Sequence, residues 1–198
     1  VVMVSGQRHH AEELREEVAG VLAPMGLQLA PEKTRVVHID EGFDFLSFNI
    51  RRQRKRGTQK YYVYTKPSKR AIQVVKDKVK AKTNRATRHL SLTDVLVSLN
   101  RMLRGWANYF RHGVSKQTFG VIDNHAWRCI TKWIFHKYSR LSWQQLRRRF
   151  CLPGSWTLAH EGTRFTGASS VKVFRYRYRG NKIPTPWTPR PAAAITGG

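Results

Sequence analysis

The spacing of apolar positions changes period along the chain, and each change predicts an element. Residues 1–4, Val-Val-Met-Val, form a short apolar run that predicts a strand. Over 10–22, Leu14, Val18, Val21 and Leu22 recur at helical spacing. Glu12, Glu13, Glu16 and Glu17 lie off that stripe, so an amphipathic helix is predicted, ended by Pro24 and Gly26. Residues 27–29 read as extended, and Pro31 to Thr34 as a turn into a strand at 35–39. After Gly42, the alternation of Leu46, Phe48 and Ile50 predicts one strand over 43–50. A basic turn over 51–57 leads to a partner strand over 60–65, carrying Tyr61, Tyr62, Val63 and Tyr64.

From Pro67 onward the period becomes helical. A helix over 69–86 turns Ile72, Val75 and Val79 inward. Ser91 is the predicted N-cap of a second helix, which runs to about Arg111 and stops at Gly113. Its stripe is Leu92, Val95, Leu96, Leu99, Leu103, Trp106 and Phe110. A third helix over 118–138 buries Phe119, Ile122, Ala126, Ile130, Trp133 and Ile134. A fourth starts at Ser142, with Gln145 completing a capping box, and places Trp143, Leu146 and Phe150 on one side. Residues 171–179 alternate aromatic and basic side chains. The stretch 184–198 is rich in Pro, Ala and Gly and predicts a disordered tail.

Charge changes the picture. The 198 residues carry a formal net charge of +25. Residues 1–50 hold four basic groups (Arg8, Arg15, Lys33, Arg35) against eight acidic ones, a net of −4. Residues 51–198 hold 33 basic and four acidic groups (Asp77, Asp94, Asp123, Glu161), a net of +29. Such a body repels itself unless a polyanion lies against it, and phosphate backbones are that polyanion. No apolar run approaches the roughly 20 residues of a membrane span, so no membrane partner is expected. Cys129 and Cys151 have no histidines at zinc-ligand spacing and read as reduced thiols of a cytoplasmic protein. Asp123-Asn124-His125 matches a metal-dependent nuclease triplet by letters alone, with no second His-rich element beside it.

The second helix is the most informative segment. Arg101, Arg104, Asn108 and Arg111 recur opposite its apolar stripe, as three guanidinium groups and an amide. Such a face can bind several phosphates and hydrogen-bond an exposed base edge. It can equally be the solvated side of a core helix, and composition leaves both readings open. Gly105 costs the helix about 1 kcal/mol against Ala, which suggests close approach of another backbone, of protein or RNA. Lys69, Lys76, Arg128, Lys132, Arg147 and Arg148 are weaker RNA-binding candidates. Arg175 and Arg177 join them, because Tyr176 and Tyr178 between and beyond them can stack on unpaired bases.

The run Leu-Asn-Arg-Met-Leu-Arg-Gly-Trp-Ala-Asn-Tyr-Phe-Arg over 99–111 resembles the hallmark of the maturase domain of group II intron reverse transcriptases. Leu29-Ala30-Pro31-Glu32-Lys33-Thr34 is similar to the late palm motif of those enzymes, and residues 42–48 to their primer-grip hairpin. Ser142-Trp143 with the following Arg run, and Phe165-Thr166-Gly167, fit the family's C-terminal segment. The resemblance implies an α+β chain: a palm remnant (1–65), a helical thumb and maturase-specific domain (66–155), a basic aromatic segment (156–183) and the tail (184–198). It implies that Lys33 lies near the nucleotide phosphates in an intact enzyme, and that Phe43, Phe45, Leu46 and Phe48 are primer-grip-like. The Phe side chains are expected in the core here, and Ser47 stands where the family usually has Gly.

The resemblance also implies a Tyr-x-Asp-Asp hairpin just before residues 1–4. The sequence contains no Asp-Asp pair, and two-metal polymerisation requires paired carboxylates. The chain, beginning with Val inside a strand-like run, therefore reads as a fragment or truncated product without polymerase activity of its own. No catalytic residue, cofactor or metal is expected in it; Mg²⁺ belongs to the intact polymerase. The expected partner is structured intron RNA, with target DNA and a separate N-terminal reverse-transcriptase half as further candidates. The alternatives are half of a split RNA-directed DNA polymerase, a general basic RNA-binding protein, and a nonfunctional remnant of a mobile element.

Overall fold

Short polar caps and long apolar stripes decide where the helices lie. In a computed structural model, which describes Val2 and residues 7–174, the chain is α+β, with a three-stranded antiparallel sheet followed by a helical domain. Helix α1 spans Arg8–Leu22, and Gly26 at φ 72° closes the 3-10 turn that follows it. None of its residues is buried, and Val21 stands 65% exposed. Pro31 to Lys33 form the predicted turn, where Lys33 N–H donates to the carbonyl of Ala30. The strand predicted over 35–39 does not form. That segment is tied to the sheet by one backbone bond, Arg52 N–H to Ile39 C=O, and by the Asp40 carboxylate on the Arg52 guanidinium at 2.5 and 2.6 Å. This pairing holds the Asp40 carboxyl below the usual carboxylate range.

The single strand predicted over 43–50 is instead a hairpin. Strands β1 (Phe43–Phe45) and β2 (Phe48–Arg54) pair antiparallel with Phe45 opposite Phe48, leaving Leu46-Ser47 as a two-residue turn. Both turn residues have positive φ, 47° and 65°, as a turn matched to strand twist requires. Asn-Gly is the ordinary signature of such a turn, so Leu-Ser gives no warning of it. The basic residues Arg51, Arg52 and Arg54 extend β2, which pairs with β3 (Tyr61–Pro67); only 55–60 form the tip. Ser47 in the left-handed region is strained. Ser47→Gly is expected to raise the unfolding free energy by up to about 1 kcal/mol, read from urea denaturation.

The sheet is fastened to the helical domain at three points. Ser68 N–H donates to Ser47 C=O at 2.8 Å, while its hydroxyl caps α2 (Lys69–Lys82) by accepting from Ala71 N–H. Val114 N–H donates to Thr65 C=O at 2.7 Å, and the Tyr109 hydroxyl to Leu46 C=O. Phe48 packs against the rings of Tyr109 and Phe110. Gly113 does not end its helix by a left-handed turn. It is glycine because a Cβ there would stand 2.8 Å from the Thr65 carbonyl oxygen and 3.2 Å from the Phe48 ring.

Helix α2 ends at Lys82, earlier than the predicted 86, because Thr83 and Asn84 redirect the chain into a 3-10 turn at Arg85–His89. Helix α3 spans Leu92–Phe110 with the capping box Ser91/Asp94. Helices α4 (Lys116–Lys137) and α5 (Trp143–Phe150) follow, the latter with the box Ser142/Gln145. The core consists of Val75 and Val79 of α2, Leu92, Val95, Leu96, Leu99, Leu103, Ala107 and Phe110 of α3, the predicted α4 and α5 residues apart from Trp143, and Leu158 and Ala168 beyond α5. Trp143 is exposed. After α5, the short strands β4 (Ala159–His160) and β5 (Thr163–Arg164) pair, and residues 165–174 run back along α3 and α4. Among the described residues no helix is long and apolar enough to cross a membrane.

Candidate nucleic-acid interface

At 100° per residue, Arg101, Arg104 and Asn108 fall on the side of α3 away from its buried stripe, and all three are exposed. Arg111 sits at the edge of that face and is half-buried. Its carbonyl accepts from Phe174 N–H, and its guanidinium lies 5.3 Å over the Phe174 ring. None of the three arginines has an ion pair among the described residues. Gly105 lies on the same outer side, just beyond Arg101 on the wheel. A Cβ there would meet nothing within 4 Å, so no protein backbone among the described residues approaches it, and the protein half of that expectation is corrected. The outer side of α3 is open where its charges stand.

The 99–111 motif divides by role. Asn100 is structural: its side-chain amide donates to Arg164 C=O at 2.8 Å and its oxygen accepts from Thr166 N–H at 2.9 Å. Thr93 adds contacts to His160 and Glu161. Asp123 completes this clasp on the C-terminal segment, accepting from Ala168 N–H at 2.6 Å and Ser169 N–H at 2.8 Å. Its carboxylate is thus held away from any nuclease-like arrangement. His125 lies 3.6 Å from the Cys129 sulfur instead, with burial pushing its pKa down. Phe165-Thr166-Gly167 is the stretch that the clasp holds.

The weaker candidates separate into groups. Lys69 lies exposed on the first turn of α2, and Lys76, half-exposed, is on the same helix. Lys132 joins Lys80, Arg85, Arg88 and His136 around a cavity of about 340 Å³, with Cys129 in its wall. Sequence reasoning missed this basic cavity because its members come from three segments, and nothing in the periodicity announces the 3-10 turn that brings in Arg85 and Arg88. Burial pushes the Cys129 and Cys151 thiols up, so both remain protonated at neutral pH. Arg128 and Arg148 are exposed on α4 and α5, and Arg147 lies 5.3 Å over the Trp156 ring.

Of the primer-grip-like residues, only Phe48 packs against the core. Phe43 is half-buried, while Phe45 and Leu46 are exposed at 40% and 66%. The expectation that these Phe side chains are core therefore fails for Phe45, because the hairpin turn swings it outward. Lys33 is exposed in its turn. Arg175 and Arg177 lie outside the described residues. Among the described residues no cluster of three His, Cys, Asp or Glu could hold a metal ion.

These features define a basic helical domain with an open, cationic helix face, mounted on a small antiparallel sheet. Residues 72–151, from the first turn of α2 to the residue after α5, match the family model of the group II intron, maturase-specific domain. The resemblance to group II intron-encoded maturases therefore holds across the helical domain. A stretch of 72 residues is also 36% identical to protein YkfC of Escherichia coli (strain K12), covering 36% of this chain and 19% of that protein. The chain thus matches about a fifth of the length of this curated relative.

Proposed function

We propose that this chain is the RNA-binding maturase portion of a group II intron-encoded protein, and that it stabilises folded intron RNA for splicing and mobility. The observation that carries this reading is the outer face of α3: Arg101 and Arg104 stand exposed without carboxylate partners among the described residues, inside the segment that matches the maturase-specific domain. In a folded protein of this charge, guanidinium groups left free on one helix face favour phosphate over solvent. The work is binding: the chain holds the RNA in its active fold, and the RNA carries the bond-making chemistry. The helical domain supplies no paired carboxylates for polymerisation. Incorporation of labelled nucleotide on a primed RNA template by the purified chain would overturn that part.

Competition binding tests the proposal. Folded group II intron RNA should displace a labelled intron fragment at least tenfold better than unrelated structured RNA of equal length. The double variant Arg101→Ala, Arg104→Ala should bind about 100-fold more weakly, from about tenfold for each lost charged contact. Equal competition by the two RNAs would leave only a general basic RNA-binding protein.

A second reading, pairing with a separate N-terminal reverse-transcriptase half, is favoured by the first 46 residues. Helix α1 buries none of its side chains, and Val21, Met25, Leu27, Phe45 and Leu46 are exposed. An apolar set of this kind fits a protein surface that covers it.

A further inference from the structure

Three tryptophans come together on one side of the helical domain without entering its core. Trp127 of α4 and Trp143 of α5 stack with planes 10° apart and centroids 6.2 Å apart. Trp156, in the loop after α5, stands nearly perpendicular to both at 6.3 Å. The cluster is fixed: the Trp127 indole N–H donates to the Trp156 carbonyl at 2.9 Å, and Phe135 meets Trp143 edge-on at 4.7 Å. Yet Trp143 is 53% exposed and Trp156 46%. Indole surface held rigidly in water is a site prepared for an occupant rather than a remnant of packing.

Charge decides which occupant. No Asp or Glu occurs from residue 124 to residue 160, while Arg128, Arg140, Arg147, Arg148 and Arg149 all fall there. Arg147 already lies over the Trp156 ring. An apolar protein anchor would use the rings and gain little from the arginines. A polyanion without flat apolar faces would use the arginines and leave the rings wet. Unpaired nucleotides use both, since a base stacks on an indole while its phosphate meets a guanidinium. Paired RNA does not, because its base faces are covered by their neighbours.

We infer that Trp143, Trp156 and Arg147 form a stacking site for unpaired bases of RNA. This rests on the RNA-binding reading above, and it adds a second contact that recognises RNA structure rather than charge. The test compares a fully paired RNA duplex with the same duplex carrying a three-nucleotide bulge. Trp156→Leu and Trp143→Leu keep apolar volume but remove the flat face; the Trp127 hydrogen bond survives, because its acceptor is backbone. Trp156→Phe keeps a ring. With unfolding curves matching the parent, each Leu variant should bind the bulged RNA about tenfold more weakly. Each should bind the duplex within about twofold of the parent, and Trp156→Phe should retain most of the preference for the bulge. Equal loss on both RNAs, or no loss on either while the parent binds both, overturns the stacking site and leaves the α3 reading standing. A parent chain that binds neither RNA overturns both readings.

Discussion

Gly167→Ala should cost the chain about 3 kcal/mol or more of unfolding free energy, a larger loss than any exposed substitution in the helical domain. Gly167 has φ 65°, where an added side chain is itself strained by about 1–2 kcal/mol. A Cβ there would also stand 2.5 Å from the Asp123 carboxyl carbon and from one of its oxygens. The carboxylate cannot withdraw without releasing the N–H groups of Ala168 and Ser169, at 2.6 and 2.8 Å. Hydrogen bonds to a charged acceptor contribute about 1.5–3 kcal/mol. The C-terminal segment then loses its hold on α4, although Asn100 still grips it from α3. Asp123→Ala alone should cost about 2 kcal/mol by leaving those donors unpaired. The double variant should cost clearly less than the two single losses together, because removing the carboxylate removes the clash. Additive losses in urea unfolding would show that Gly167 and Asp123 do not act as one unit.

The same clasp shows how far the sequence could be read. Helices α3 and α5 were legible because each writes its own signal, a stripe at helical spacing behind a Ser cap with Asp94 or Gln145 three residues on, while α4, whose Ser115 makes no side-chain cap bond, was legible from its apolar stripe alone. These signals are local, so no partner is needed to see them. The hairpin at Leu46-Ser47 was hidden, since its turn lacks the residues that positive φ prefers and its flanks alternate like one continuous strand. The segment 35–39 reads as a strand by composition but finds only one bond to the sheet.

The candidate site divides the same way. The α3 arginine face follows from 3.6-residue spacing and could be seen at once. That Asn100 and Asp123 serve the fold, while Arg101, Arg104 and Asn108 remain free, depends on contacts across 64, 66 and 45 residues. The basic cavity and the tryptophan cluster are likewise assembled from separate segments. Periodicity could not report them. Trp143 misled for a related reason: it shares a helix side with Leu146 and Phe150, but α5 ends its burial one turn short of it.

The central claim is that the basic body of this chain grips the phosphates of a folded RNA, and salt tests it most directly. Binding that neutralises phosphates releases counterions, so affinity falls as a power of the salt concentration. If the α3 face and its neighbours engage about 6–10 phosphates, affinity for folded group II intron RNA should fall by about 10³–10⁵ between 50 and 200 mM salt. The Arg101→Ala, Arg104→Ala variant should show a log–log slope shallower by about two, one for each phosphate contact removed. The measurement is an equilibrium titration of the intact chain on labelled intron RNA at four or five salt concentrations. The account predicts the steep fall and the shallower variant. A flat salt response, or a variant whose slope equals that of the parent, would contradict it.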